Sequence, residues 1–357
     1  MRSDFGFIIH PVDVDLIPPA FSETKLYTKR PELLEKIFEW LPPFKCSHVA
    51  GVRSKTGDET EGDLIYVPYL PKQIMALPSQ VVLDRVIEAG RVAKKLGSRI
   101  LGLGAYAAFV GRRGVQIQEA LEMPVTTGSA YTVGAAIRAS SWVAEEIFGH
   151  REMTVAVIGA TGGLGSAISR ILAGRVRHIA LVGRQQSRLK FLEEELLRAH
   201  PSLQIRTFNK VEEAIKHANL IFVSTNSPDL KIDVRGLVPG TVICDISVPH
   251  NVDEASAAMR KDVLVVDGGV IRPPGDCRLN FYFGLPEGLA FACMAETMIL
   301  SLEKRFESYS LGGNLTAEKV DEILLWGDRH GFRLAEPRSF GKTITPTDIK
   351  RVHDSVN

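Results

Sequence analysis

The chain is poor in most features that assign a protein to a special class. Its four cysteines, Cys46, Cys244, Cys277 and Cys293, are scattered through 357 residues, with no Cys-x-x-Cys pair and no Cys/His cluster at zinc spacing. Such usage gives no structural metal site and suits a reducing compartment, where thiols persist. There is no charge excess either. Lys+Arg 43 against Asp+Glu 42 leaves a formal net charge of +1, so no whole-molecule field draws the chain to nucleic acid, although a local basic patch stays open. Every apolar run is broken by Gly, Pro or charge well before the roughly 20 residues of a membrane span. The opening MRSDFGFIIHPVDVD lacks a basic segment followed by an apolar one, so no signal peptide is read. Internal repeats and low-complexity segments are missing too. The expectation is a soluble, cytoplasmic protein. What remains, 45% hydrophobic and 24% charged residues, is ordinary globular composition at a length natural for two domains.

The middle of the chain is the most legible part. Short β-branched runs, Thr154–Ile158, His178–Gly183, Gln204–Phe208, Leu220–Ser224, Thr241–Asp245 and Val263–Asp267, alternate with SAISRILA, SRLKFLEEELLRAH, VEEAIKHA and NVDEASAAMRK, which carry helical periodicity or helix formers. Continuous apolar strands separated by helices predict a parallel sheet covered on both faces, an α/β Rossmann-type doubly wound domain. Around it the pattern is more mixed. FGFII, HVAGVRS, DLIYVPYL and RILGLGAY read as strands, with TGDETEG as a polar turn; PELLEKIFEWL, Ser79–Gly97 and Ser129–Phe148 read as helices. Two further helices are expected at Glu287–Glu307 and Ala317–His330. The predicted division is an N-terminal α/β substrate domain over 1–150 and a dinucleotide domain over 151–285. C-terminal helices over 286–357 are expected to pack back on the first domain.

Strand TVAVI runs straight into Gly159-Ala160-Thr161-Gly162-Gly163-Leu164-Gly165 and then a helix. In that context Gly159 permits the tight turn and Gly162 lets backbone approach a pyrophosphate. Gly165 allows close helix–strand packing, and the helix N-terminus offers N–H groups and a positive dipole to phosphates. An NAD site would normally end the next strand with Asp or Glu for the ribose 2′-hydroxyl. This strand ends Gly183-Arg184, with Arg188 one turn into the following helix, so two guanidinium groups stand where a 2′-phosphate would need them and NADPH is the expected cofactor. The ends of later strands, Ser224-Thr225-Asn226, Asp245 to His250 with Ser247, and Asp267-Gly268-Gly269, should border the nicotinamide, with Ser224, Ser247 and Gly268 as contacts.

The reacting group is harder to find. No Tyr-x-x-x-Lys pair comes after the dinucleotide region, and the first domain shows no obvious Lys/Asp pair for an enol-acid substrate. Beyond the dinucleotide region the chain instead carries Leu285-Pro286-Glu287-Gly288-Leu289-Ala290-Phe291-Ala292-Cys293-Met294-Ala295-Glu296-Thr297. With Pro286 and Glu287 as a helix start, Cys293 falls about two turns in, where the helix dipole does little for a thiol. Taken alone, this local sequence makes Cys293 a small buried core residue.

A wider pattern changes that weighting. SKTGDETEGDLIYVPYLP, ILGLGAYAAF, MPVTTGSAYT, VAVIGATGGLGSAISR, LVVDGG and FACMAETMILSLE, in this order from about Phe5 to Pro337, resemble the long-chain fatty acyl-ACP reductases best known from cyanobacteria. The resemblance implies NADPH-dependent reduction of acyl-ACP or acyl-CoA to a fatty aldehyde through a thioester on the cysteine of the FAC-x-AE-x-M block, here Cys293. It also implies a place for an aldehyde-consuming partner enzyme. The tetrahedral oxygen of such a step needs fixed donors, and the backbone near Gly102 and Gly104 or around Thr127, Gly128 and Ser129 offers them. Ile65–Leu70 and Tyr106–Val110 are candidate walls for an acyl tunnel. Arg85, Arg91, Lys94, Lys95, Arg112 and Arg113 are candidate contacts for an acidic carrier protein.

Two stretches depart from the family pattern, an extended region around Pro18–Lys45 and PPGDCRLNFYFGLPEG before the cysteine block; they leave chain length and substrate class open. Three alternatives remain. A shikimate-dehydrogenase-like alcohol dehydrogenase would use an acid/base pair rather than Cys293. A glutamyl-tRNA reductase would need an N-terminal cysteine, for which KCSHV around Cys46 is a poor context. A non-catalytic NADPH-binding regulator would form no acyl adduct.

Overall fold

A computed structural model describes residues 3–11, 31–225, 227, 230–247, 250–282, 284–313 and 315–356. Most of the region around Pro18–Lys45 up to residue 30, together with Asn226, Val248 and Pro249 of the expected strand-end loops, lies outside the described residues. The chain divides into two compact units, one of residues 1–132, 271–314 and 322–333 and the other of 133–270, 315–321 and 334–357.

The first unit is built on a six-stranded mixed sheet. Its strands are β1 (Phe5–Ile9), β2 (Phe44–Arg53), β3 (Glu59–Tyr66), β4 (Ile100–Leu103) and β5 (Val125–Thr126), with Gly275–Arg278 at one edge, in the order Gly275–Arg278, β2, β3, β1, β4, β5. β1 pairs parallel with β3 and β4, β4 parallel with β5, and β2 runs antiparallel to β3. Alternation along the strands sorts residues to two faces. Ile8, Leu101 and Leu103 join Val82, Val86, Ala89 and Ala93 of helix Ser79–Lys95 in one apolar cluster. Gly102 points the other way, and a Cβ there would stand 2.2 Å from the Thr297 hydroxyl of helix Ala292–Leu302. The missing side chain lets that helix lie close on the sheet. Helix Ser79–Lys95 ends as its sequence predicts, with Gly97 at φ +97° beyond the last turn.

The second unit is the parallel sheet read from the sequence. Its strands are β6 (Thr154–Ile158), β7 (His178–Val182), β8 (Gln204–Phe208), β9 (Leu220–Val223), β10 (Val242–Asp245) and β11 (Leu264–Asp267), all parallel in the order β11-β10-β9-β6-β7-β8. This is the strand order of a dinucleotide-binding fold, with the reversal beside β6 where a ligand crevice forms. Helices Gly163–Ala173 and Gln186–Ala199 supply the first two crossovers; VEEAIKHA gives only Val211–Ala214 and a 3-10 turn, and the stretch NVDEASAAMRK gives Glu254–Ala258.

Three differences from the sequence reading bear on function. The helix expected from Glu287 starts at Ala292, because Leu289 N–H closes a turn onto Pro286 O, Gly288 takes φ +75° and Ala290–Phe291 is extended. The boundary expected near residue 150 falls within helix Ser129–Phe148 instead, at 132/133. The segment 286–357 is also shared: 315–321 and 334–357, including hairpin strands Arg338–Ser339 and Lys342–Thr343 and helix Pro346–Asp354, belong to the second unit rather than the first.

Candidate active site

The glycine-rich turn joins β6 to helix Gly163–Ala173. Gly159 sits at φ +83°, and a Cβ on it would meet Ser224 O at 2.7 Å, so only glycine fits this turn against the end of β9. Gly165 rides directly over the turn: a Cβ there would lie 2.2 Å from Gly159 O. Gly162 caps the helix, and a Cβ on it would meet Gly159 O at 3.2 Å and Ser224 O at 3.9 Å, with no other described heavy atom within 4 Å. That space, over the first N–H groups of an eleven-residue helix, is a cradle that a side chain would fill and a pyrophosphate fits. Thr161, Gly163 and Leu164 are each partly accessible around it.

Arg184 and Arg188 follow β7 and are both exposed; among the described residues neither guanidinium has a polar partner. The strands are parallel, so Ser224, Ser247 and Gly268, after β9, β10 and β11, come to the same sheet edge as the glycine turn. Ser224 ties β9 to β6 through Ile158 O, its N–H at 3.0 Å and its hydroxyl at 3.1 Å. Ser247 is held by Asp245, whose carboxylate takes the N–H groups of Ser247 at 3.0 Å, Asn251 at 2.7 Å and Val252 at 3.1 Å. Gly268 is demanded by packing, since a Cβ there would strike Ile246 at 2.2 Å. The neighbouring Asp267 carboxylate accepts the N–H groups of Phe340 at 2.8 Å and Gly341 at 2.7 Å, so it braces the C-terminal hairpin.

Cys293 lies in the first unit. It is the second residue of its helix, within the first turn rather than two turns in, and the ten other residues of that helix are buried while Cys293 is partly exposed. Burial pushes its thiol up to about 11. The backbone N–H groups of Ala105 and Met294, directed at the sulfur, work against that shift, and Glu296 adds to it. The loop Thr126–Ser129 presses on the same residue. A Cβ on Gly128, at φ +72°, would lie 2.3 Å from Cys293 Cα.

Glu296, one turn beyond Cys293, is fully buried and holds that loop in place. Its carboxylate accepts the Thr126 hydroxyl and, at 2.8 Å, the Tyr131 N–H; burial raises its pKa while these donors oppose the rise. Sequence reasoning gave Glu296 no role, although the FAC-x-AE-x-M block contains it.

Several expected donors are already engaged. Gly104 N–H bonds to Ile8 O at 2.9 Å and Gly128 N–H to Thr126 Oγ1 at 3.4 Å; Thr127 gives its hydroxyl to Ser310 O, and Ser129 Oγ lies 2.8 Å from Thr127 Oγ1. The amides facing the sulfur are instead those of Ala105, next to Gly104, and Met294.

The other expectations for this unit are also reshaped. Ile65, Val67, Tyr69, Ala107 and Val110, read as tunnel walls, are packed in the core. An open cleft of about 230 Å³ occurs instead in the segment that departs from the family pattern, just before the cysteine helix, where Leu279, Phe281, Leu285 and Leu289 line it together with Asn280, Tyr282 and Glu287. The basic cluster is thinned. Arg85 donates to Leu41 O, Lys94 to Leu121 O at 2.7 Å, and Arg112 pairs with Glu119 at 3.0 Å. Cys46, on β2, donates to Leu64 O of β3, and burial pushes its thiol to about 12, a poor setting for a nucleophile. No described helix is long and apolar enough to cross a membrane.

Known proteins resemble both units. Residues 142–267 match the family model of shikimate / quinate 5-dehydrogenase. The chain is 30% identical over 95% of its length to Aminotransferase PigE of Serratia sp., but spans only 40% of that protein. It is 29% identical over 79% of its length to the long-chain acyl-[acyl-carrier-protein] reductase of Synechococcus elongatus, spanning 85% of that protein. Among solved structures, quinate dehydrogenase of Corynebacterium glutamicum in complex with NAD aligns over 99% of this chain and 98% of its own, at 13% identity and TM-score 0.34.

Proposed function

We propose that the chain reduces a fatty acyl thioester, carried on acyl carrier protein or coenzyme A, to the fatty aldehyde with NADPH through an acyl group on Cys293. One observation carries the reading: in an otherwise buried helix, the single accessible residue is a cysteine in the first turn, whose own amide and those of Ala105 and Met294 act to lower its pKa against burial. A nicotinamide dinucleotide is supported by the strand order, the Gly159–Gly165 turn and the family match over 142–267. Unpartnered Arg184 and Arg188 favour the 2′-phosphorylated form.

In this reading the Cys293 thiolate attacks the acyl carbon. A C–Sγ bond forms, the bond to the carrier sulfur breaks, and the carrier leaves as a thiol after taking a proton. Ala105 and Met294 N–H groups stabilise negative charge first on the sulfur and then on the adjacent tetrahedral oxygen. A reduced nicotinamide held at the Gly159–Gly165 turn would supply the hydride, two electrons and the hydrogen, that the acyl carbon needs. When the C–Sγ bond breaks, the carbonyl forms and Cys293 recovers its thiolate. A thioester suits the hydride better than an oxygen ester would, because sulfur donates less electron density to the carbonyl. The cleft between Leu279 and Leu289, where Leu279, Phe281, Leu285 and Leu289 stand beside Asn280, Tyr282 and Glu287, is proposed for the alkyl chain.

The acyl class is supported by the Synechococcus relative, matched over most of both chains. The Serratia relative fits the same chemistry: an aminotransferase acts on a carbonyl compound, so an aldehyde-forming region within a longer chain of that name would feed it. The match to shikimate / quinate 5-dehydrogenase supports a second reading, oxidation of an alcohol, but it covers the dinucleotide region rather than the cysteine unit.

Intact-mass spectrometry after incubation with palmitoyl-CoA or palmitoyl-ACP, without NADPH, separates the two. The thioester reading expects a gain of one palmitoyl group that Cys293→Ala does not show, and hexadecanal once NADPH is added. A Cys293→Ala protein that keeps full turnover on an alcohol would establish the second reading instead.

A further inference from the structure

His10 follows β1 and is 8% exposed. Its Nδ1 lies 2.9 Å from Pro11 O and its Nε2 lies 3.0 Å from the backbone N of Tyr106. A carbonyl can only accept and an amide N–H can only donate, so the proton sits on Nδ1 and the Nε2 lone pair receives the Tyr106 N–H. Both ring nitrogens are therefore occupied in the neutral imidazole. The ring packs edge-on to Tyr106, centroids 6.0 Å apart. His10 cannot take a proton from Cys293 while Nε2 is so engaged.

What it holds is the peptide beside the sulfur. Ala105 adopts φ +46°, a left-handed conformation that residues with a Cβ avoid. Its neighbours on both sides are pinned to the end of β1: Gly104 N–H to Ile8 O at 2.9 Å, and Tyr106 N–H to His10. Between these two anchors lies Ala105, whose backbone amide is among the groups that hold the Cys293 pKa down against burial. We propose that His10 is a positioning residue that, by accepting the Tyr106 amide, holds Ala105 in its left-handed turn and so keeps the Ala105 N–H on the Cys293 sulfur. The inference rests on Cys293 being the reacting group. The titratable side chain acting on that thiol is Glu296 of the same helix; the loop 126–129 over Cys293 carries no titratable side chain.

Two nearly isosteric amides test this. Gln at position 10 places an acceptor at the reach of Nε2, whereas Asn places its amide at Nδ1, keeping a donor for Pro11 O and leaving the Tyr106 N–H unmet. The readout is the pH dependence of Cys293 alkylation by iodoacetamide, followed by peptide mass spectrometry. H10Q is expected to keep the wild-type midpoint. H10N is expected to move it up by about one pH unit, roughly a tenfold loss of thiolate at a fixed pH below it, with palmitoylation from palmitoyl-CoA slowed by the same factor. In H10N/A105G, where glycine takes the left-handed turn without strain, the midpoint should return toward wild type; this double variant carries the test if H10N does not fold.

Equal behaviour of H10N and H10Q, or a wild-type midpoint in H10N, overturns the proposal. If the wild-type chain takes up no palmitoyl group while the alkylation shifts appear as described, the thioester reading fails and the positioning role stands.

Discussion

Burial raises the Cys293 thiol to about 11, and the Ala105 and Met294 amides only moderate that rise, so at pH 7 the thiolate is a small minority. Below a thiol's pKa the thiolate fraction grows about tenfold per pH unit. Alkylation and palmitoylation of the wild-type chain should therefore climb about tenfold per unit from pH 7 to 10, toward a midpoint near 11, measured by quench and intact mass. A plateau already reached at pH 8 would mean a stronger activating group. His10 works in the opposite direction on stability. Burial holds its pKa near 4 against 6.5 unfolded, so between those values the unfolded chain binds the extra proton. Its contribution, on the order of 3 kcal/mol, is fully present above pH 6.5 and lost as pH falls toward 4, which urea denaturation at pH 7 and pH 4.5 would register against H10Q. Gly128→Ala would drive a methyl into the Cys293 backbone from a left-handed position, and a loss of about 2 kcal/mol with at least tenfold slower palmitoylation is expected. At this scale the sequence showed Cys293 through its block but not Glu296 or His10. Their partners, Thr126, Tyr131 and Tyr106, stand about 96 to 170 residues away, and no local pattern encodes such a contact.

Elements were legible where one periodicity ran unopposed. The six strands of the second unit and helix Ser129–Phe148 fall within a residue or so of their expected places; five of those strands are continuously apolar because they are buried on both faces, while edge strand β8, QIRTF, is partly exposed. The helix of Cys293 was not, since Pro286 and Glu287 carry a genuine start signal that Gly288 then cancels with a left-handed turn. That five-residue displacement moves the thiol from the middle of a helix to its first turn, where backbone N–H groups are unpaired. Helix Pro346–Asp354 was legible in principle: Thr345, Pro346 and Asp348 form a capping box with proline at the first turn. The turn after β7 gives the sharpest element-level test. Losing one charge-assisted hydrogen-bond partner costs about 1.5–3 kcal/mol. Arg184→Ala and Arg188→Ala should therefore each raise KM for NADPH by about tenfold or more and leave KM for NADH within about twofold. A parallel loss for both cofactors would remove the 2′-phosphate from the argument.

The division into units was the least legible level, and the reason is continuity. Helix Ser129–Phe148 runs unbroken through Gly134, yet it contributes Ser129–Thr132 to one unit and the rest to the other; helix Ala317–His330 is likewise shared. Hydrophobic periodicity reports that a helix is buried, not which core receives each turn. The C-terminal stretch shows what this arrangement predicts. Residues 334–357 belong to the dinucleotide unit, burying Ile344 and Val352 and giving Asp267, at the end of β11, the N–H groups of Phe340 and Gly341. Ending the chain after Arg333 leaves every segment of the cysteine unit in place but strips apolar cover and two hydrogen bonds from the edge of β11. Losing the burial of an Ile and a Val side chain costs about 3–6 kcal/mol, and the half-buried Asp267 carboxylate loses two donors. The truncated chain should bind NADPH at least tenfold more weakly by fluorescence titration and melt earlier by circular dichroism, while the pH profile of Cys293 alkylation stays at the wild-type position. Were the alkylation midpoint to move together with NADPH binding, the thiol environment would depend on the dinucleotide unit, and Ala105, Met294 and Glu296 would not be its whole setting.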